Sequence, residues 1–76
     1  MATTEFELRG DHIELNQLLK LVGACNSGGE GKQLVAQGLV SVDGAVELRK
    51  TCKIRAGQVV TLDGFEVRVV GSPGEA

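Results

Sequence analysis

Apolar positions change their period twice along this chain. Residues 5–9, Glu-Phe-Glu-Leu-Arg, alternate polar and apolar, which predicts a short strand with Phe6 and Leu8 on one face. Gly10-Asp11 breaks it. Over 14–22, Leu15, Leu18, Leu19 and Val22 recur at i, i+3, i+4 and i+7. That spacing predicts one amphipathic helix, with Glu14, Gln17 and Lys20 off the stripe and Gly23 as its left-handed cap. Ser27 opens a second helix, with Glu30 at the capping-box spacing. Leu34 and Val35 turn inward, Lys32 and Gln33 outward, and Gly38 ends the helix. From residue 39 the period becomes two. Val40 and Val42 form a strand, Asp43-Gly44 a hairpin turn whose residues tolerate positive φ, and Val46 and Leu48 begin the return. Arg49 to Arg55 reads as a basic loop with Cys52 and Ile54 as its apolar members. Ala56-Gly57-Gln58 is a turn, and Val59, Val60 and Leu62 form another strand. Asp63-Gly64 repeats the hairpin signal before a last strand holding Phe65, Val67 and Val69, and Gly71 to Ala76 is a polar tail.

The predicted order is strand, two short helices, then about four short strands. Neither helices nor sheet can bury their apolar sides alone, so the helices must cover one face of a mostly antiparallel sheet of four to five strands. This is a small α+β fold, one domain over residues 1–70 followed by the tail 71–76. The chain has 76 residues, 42% of them hydrophobic and 24% charged, an ordinary globular mixture. A domain of this size has little room for a deep cleft. No nucleophile and base stand in a recognisable arrangement, and we expect no enzymatic activity. His12 is the single histidine, so a four-ligand metal site is not credible, and no cofactor is expected. Cys25 and Cys52 lie in no CxxC motif and read as free thiols. No apolar run approaches the length of a membrane span and no signal pattern opens the chain, which reads as soluble, cytoplasmic and monomeric.

Charge changes this picture by its distribution. The net charge is −2, which taken whole argues against a nucleic-acid partner. The ends, however, carry the acids: Glu5, Glu7, Asp11 and Glu14 against Arg9 in 1–14, and Asp63, Glu66 and Glu75 against Arg68 in 63–76. Between them Lys20, Lys32, Arg49, Lys50, Lys53 and Arg55 outnumber Glu30, Asp43 and Glu47. Four of these bases, Arg49, Lys50, Lys53 and Arg55, fall within seven residues with no acid among them. Such a run is either a solvated face or a surface for phosphates. The run from Ser27 to Lys32 lacks the Walker A spacing, and Gln33 stands where Ser or Thr should follow the lysine, so nucleotide hydrolysis is a weak reading. Gly28 and Gly29 are poor helix formers, and either a packed neighbour or a close-approaching partner must favour them. A glycine-opened helix start also has free N–H groups and a positive dipole end. With no Trp or Tyr and only Phe6 and Phe65, aromatic stacking of single strands is excluded. A nucleic-acid partner should then be a shaped RNA held through phosphates and 2′-hydroxyls.

Leu15-x-x-Leu18-Leu19, Gly23, Ser27-x-x-x-x-Lys32-x-Leu34-Val35-x-x-Gly38-x-Val40-x-Val42-Asp43-Gly44 and Arg49-x-x-x-Lys53-Ile54-x-x-Gly57-x-Val59-Val60 together resemble the S4 RNA-binding domain, or αL motif. The match covers roughly residues 13–62. The glycines after Ser27 and the Arg49-Lys50 loop are similar to those of small stand-alone bacterial S4-like proteins. Other S4 domains carry arginines where Gly28 and Gly29 stand, and Cys52 takes a position that is often basic in the stand-alone group. The resemblance implies an RNA-binding module without enzymatic activity, its partner a structured RNA of ribosomal or tRNA-like kind. It places Ser27, Lys32, Arg49, Lys50 and Lys53 on the RNA surface. The residue reading adds Gly28 and Gly29 at the helix start, Arg55, and Lys20 in second rank. The alternative is a protein-interaction module that sets the same basic patch against a ribosome-associated or RNA-modifying protein.

Overall fold

The structure is a computed structural model that describes residues 2–62 and 64–71. Its elements run β1 (Ala2–Leu8), β2 (Ile13–Glu14), α1 (Leu15–Leu21), α2 (Gly28–Ala36), β3 (Val40–Val42), β4 (Ala45–Val46), β5 (Lys53–Ile54), β6 (Val59–Leu62) and β7 (Phe65–Gly71). A five-stranded sheet has the order β1-β7-β6-β3-β4, and β2 and β5 form a separate antiparallel pair. The α+β class and the helix pair match expectation. The sheet is more mixed than expected, because β1 runs parallel to β7 at its edge, in register from Ala2↔Phe65 to Leu8↔Gly71. That pairing extends β1 three residues before the alternating pattern that announced it. It also takes Gly71, assigned to the tail, into the last strand. Of the predicted turn Asp63-Gly64 only Gly64 is described, at φ +78°; Asp63 and residues 72–76 of the tail lie outside the described residues.

One core joins helices and sheet. Leu15, Leu18 and Leu19 of α1 and Val35 of α2 are fully buried together with Val40, Ile54, Val60 and Val67, with Leu8, Val42 and Val69 nearly so. The period-two and period-3.6 stripes therefore meet on a single face of the sheet, as binary patterning requires. The second correction concerns the basic loop. Residues 53–54 are strand, pairing Ile13↔Ile54 and Glu14↔Lys53. Two-residue strands carry no readable period; the full burial of Ile54 and the packing of Ile13 hold this pair against the core.

Local signals were largely obeyed. Asp43 and Gly44 both take positive φ, 52° and 86°, giving the tight turn between β3 and β4. Asp43 does more than turn: its carboxylate accepts from the Val59 N–H at 2.9 Å and from Gln58 Nε2 at 3.2 Å, fastening the hairpin to β6. Those bonds hold the Asp43 carboxyl below its ordinary range, the Val59 amide being the main cause. At α2 the Ser27 hydroxyl accepts from the Glu30 N–H at 3.1 Å, while the Glu30 carboxylate reaches back to the Asn26 N–H, one residue before the cap.

The glycines of α2 divide by function. A Cβ on Gly31 would stand 2.9 Å from the backbone oxygen of Asn16 and 3.3 Å from Cys25 Sγ, so glycine at this position lets α2 close onto α1. A Cβ on Gly29 would meet only the Ser27 hydroxyl at 3.9 Å, and one on Gly28 only ordinary contacts with the Asn16 and Gln17 side chains. Packing thus explains Gly31 and leaves Gly28 and Gly29 unexplained. Gly31→Ala should cost roughly 1–2 kcal/mol, the overpacking penalty less the helix-propensity gain. Gly29→Ala should stabilise by up to about 1 kcal/mol through the unfolded chain. Urea unfolding of both variants checks the pair, and equal stabilities would refute the assignment of the close contact to Gly31.

Candidate functional site

The first turn of α1 has an unusual N-terminus. Its N-cap residue, Glu14, makes no side-chain cap hydrogen bond. The backbone donors of the turn are satisfied from elsewhere: Leu15 N–H donates to the Cys52 carbonyl at 2.9 Å and Asn16 N–H to the Lys50 carbonyl at 3.2 Å. The segment from Glu47 to Cys52, although it has no regular structure, is therefore held at several points. Glu47 N–H donates to the Val40 carbonyl at 3.0 Å, and Cys52 N–H to the Arg49 carbonyl at 3.2 Å. Asn16 is 97% buried and also carries the backbone surface on which Gly31 rests. Consequently the helix bearing Lys32 and the loop bearing Lys50 are both seated against one residue.

The result is an open concavity of about 680 Å³ lined by the cations Lys32, Arg49, Lys50 and Lys53 and by Leu48, Thr51 and Cys52. No acid lines it. Four of the nine predicted site residues meet here, drawn from α2, the loop and β5. Ser27, Gly28 and Gly29 lie outside the lining, with Gly28 one turn before Lys32 on α2. Lys20, in the last turn of α1, and Arg55, after β5, also lie outside it. Lys32, Lys50 and Lys53 make no ion pair among the described residues.

Arg49 is different, and the sequence reading missed why. Its run contains no acid, but Glu47 lies two residues before it. Arg49 Nε donates to Glu47 Oε2 at 3.0 Å and Nη2 to Oε1 at 3.3 Å, while the Arg49 backbone N–H donates to Oε2 at 2.9 Å. These bonds, the side-chain pair first and the backbone bond second, pull the Glu47 carboxyl down to about 2. The Glu47-x-Arg49 spacing was the available signal; an acid and a base two apart in extended chain share one side. Cys52 completes the group, its Sγ 3.6 Å from Glu47 Oε1 and 3.8 Å from Arg49 Nη2. Burial first, then the charge of Glu47, raises the Cys52 thiol, so at neutral pH it adds a soft neutral surface to the concavity. Both cysteines are free, as expected. Among the described residues no helix is long and apolar enough to cross a membrane.

A family model described as the S4 domain matches residues 6–70. The chain belongs to the S4 domain family. YbcJ of Escherichia coli (strain K12) is 56% identical over 59 residues, which cover 78% of this chain and 84% of YbcJ. A tyrosine–tRNA ligase of Ralstonia nicotianae is 41% identical over 56 residues, covering 74% of this S4 domain but 14% of the ligase. The solution structure of E. coli YbcJ, described as revealing an αL motif involved in RNA binding, superimposes with a TM-score of 0.66 at 51% identity, covering 92% of this chain and 87% of that one. The helix pair and sheet described above are thus the αL fold that the sequence resemblance implied.

The Glu47–Arg49 pair has a pH signature. The folded-state pKa lies below the ordinary 4.5, so the pair stabilises the loop fully above about pH 4.5 and loses that contribution as pH falls toward 2. Carbon-detected NMR titration should place the Glu47 midpoint near 2. Glu47→Gln should remove the corresponding part of the acid-side fall in stability. A midpoint at the ordinary value would show that the pair does not form in solution.

Proposed function

We propose that this S4 domain is a non-enzymatic module that binds structured RNA, ribosomal or tRNA-like, through phosphate contacts from its cationic concavity. The observation that carries the reading is the convergence of Lys32, Lys50 and Lys53, three cations without an ion-pair partner among the described residues, around one acid-free surface. Separated in sequence, they are brought together by backbone hydrogen bonds and helix packing rather than by their own side chains. Their positions therefore do not depend on a ligand. The likeness to YbcJ, whose αL motif is described as involved in RNA binding, supports the same reading.

Lys32 offers charge from α2, and Lys50 and Lys53 offer it from the loop and β5. Arg49 keeps its guanidinium on the same surface although Glu47 offsets its charge. Ser27, Gly28 and Gly29 extend the surface along α2 toward its N-terminus, and Lys20 and Arg55 are outlying cations that add to the long-range field. Glu5 and Glu7 lie on β1, at the sheet edge opposite β4, the strand that leads into the basic loop. A second reading, docking of an acidic ribosome-associated or RNA-modifying protein, draws on the exposed Val46 and Leu48 beside the cations.

Three phosphate contacts predict a binding constant that falls roughly 20- to 40-fold between 50 and 200 mM salt. Changing Lys32 and Lys50 together to Ala should flatten the log–log salt slope by roughly 1.5–2 units while leaving the fold intact, since both side chains are exposed. Fluorescence anisotropy with a ribosomal stem-loop RNA measures both quantities. A native domain that binds no structured RNA at 50 mM salt would transfer the surface to the protein-partner reading.

A further inference from the structure

The concavity is not uniformly cationic. Leu48, 60% exposed, and the neutral thiol of Cys52 sit among its charges, and a surface built only to track phosphates has no need of them. Arg49 is a weaker phosphate clamp than a free arginine, because its Nε–H and one Nη2–H are taken by Glu47 and Nη2 also approaches Cys52 Sγ, which leaves the Nη1 donors. The pairing also leaves open the flat face of the guanidinium, on a side chain 79% exposed. A guanidinium held in its plane by a carboxylate is an immobilised planar platform, and nucleobases stack on such planes as they do on aromatic rings. Its neighbours suit the remainder of a nucleotide: apolar surface for the sugar carbons or the rim of the base face from Leu48, and ammonium groups of Lys50, Lys53 and Lys32 for the phosphates on either side. The volume, about 680 Å³, falls within the roughly 300–1,000 Å³ of sites that hold one small ligand.

From this geometry we infer that the concavity receives a single unpaired nucleotide of a folded RNA, its base stacked on the Arg49 guanidinium beside Leu48 and its flanking phosphates on Lys50, Lys53 and Lys32. Glu47 is then a positioning residue, which holds the platform flat without touching the RNA. The inference rests on the RNA-binding reading and narrows it: the preferred partner is a stem interrupted by a bulged or looped-out nucleotide rather than an unbroken duplex. Charge complementarity selects a nucleotide over an apolar peptide as occupant, because Lys32, Lys50 and Lys53, without an ion-pair partner among the described residues, line the concavity beside the Glu47-paired Arg49.

The test uses three probes: a fluorescein-labelled RNA hairpin with one unpaired adenosine in its stem, the same hairpin fully paired, and AMP. The native domain should bind the bulged hairpin at least about five-fold more tightly than the paired one, the low end of what a stacked base contributes. The Arg49 Nε–H signal in the NMR spectrum should shift with the bulged hairpin alone. Arg49→Lys keeps the charge and loses the plane; it should bring the ratio of the two affinities to about one. Glu47→Ala should also abolish the preference, while binding the paired stem as well as or better than the native domain, because an acid has been removed. If Glu47 acted only by repulsion, its removal would strengthen both complexes equally and keep the preference, and the inference would fall. Equal binding of the two hairpins by the native domain would overturn it while leaving RNA binding standing. Binding of neither hairpin would remove both readings. AMP bound as tightly as the bulged hairpin would reassign the site to free nucleotides and overturn the inference.

Discussion

The amide donors at the start of α1 need partners, and the residue before them supplies none. Glu14 makes no side-chain cap hydrogen bond, so Leu15 and Asn16 turn to the carbonyls of Cys52 and Lys50. This substitution of a distant loop for a local cap organises the functional half of the molecule. An unsatisfied helix N–H in a buried setting costs roughly 1–3 kcal/mol, so the loop cannot leave without exposing or stranding the donors beneath it. Asn16 then serves from its other side as the seat of Gly31. A single buried residue thereby fixes the separation between the helix that carries Lys32 and the loop that carries Lys50. The positions of the cations are set by main-chain geometry, and their side chains are left free to meet a ligand.

This arrangement explains how a chain of net charge −2 can present an acid-free cationic surface. The acids are not merely at the ends of the sequence. Several are spent in local pairs on or beside the strands, Glu7 with Arg9 at 3.7 Å and Glu66 with Arg68 at 3.6 Å, or used as structural acceptors, as with Asp43. Exposed pairs of this kind add little stability. Their effect is to confine charge to short range on the sheet, while Lys32, Lys50 and Lys53 project an uncompensated field over a Debye length of about 8–10 Å at physiological salt. Net charge was therefore a poor guide to the charge of this surface, and its distribution along the chain a better one.

Sequence reading did well where a signal is local and poorly where a partner must be known. The stripe Leu15, Leu18, Leu19 reported α1, and Asp43-Gly44 reported its turn, because helix period and positive φ are properties of a few consecutive residues. The length of β1 and the strand character of Gly71 were hidden, because each depends on the other across the whole domain. Ile13 and Ile54 gave no sign of their pairing, since two residues cannot show a period. The glycines of α2 were noticed, but attention fell on Gly28 and Gly29, where a Cβ would make only ordinary contacts. Gly31, where a Cβ would press into the backbone of α1, looked no different in the sequence. Of the site, the loop bases and Lys32 were legible as charges, while their convergence was legible only through resemblance to a known family.

The same distinction bears on the kind of RNA that such a surface can recognise. Counting Phe, Tyr and Trp excludes aromatic platforms, and by that count the domain is limited to reading shape through phosphates. But stacking needs a flat, polarisable, immobile surface, and an aromatic ring is only one way to supply it. A free arginine is a poor substitute because its side chain has several rotatable bonds, and ordering it against a base costs entropy. Glu47 has removed much of that cost in advance, with two bonds to the guanidinium and one to the Arg49 backbone. The carboxylate that seems to waste a cation has traded long-range attraction for short-range shape. An electrostatic tally scores Glu47 as a loss. In a pocket already holding three other cations, each with its charge intact, a rigid plane contributes a selectivity that a fourth mobile charge cannot.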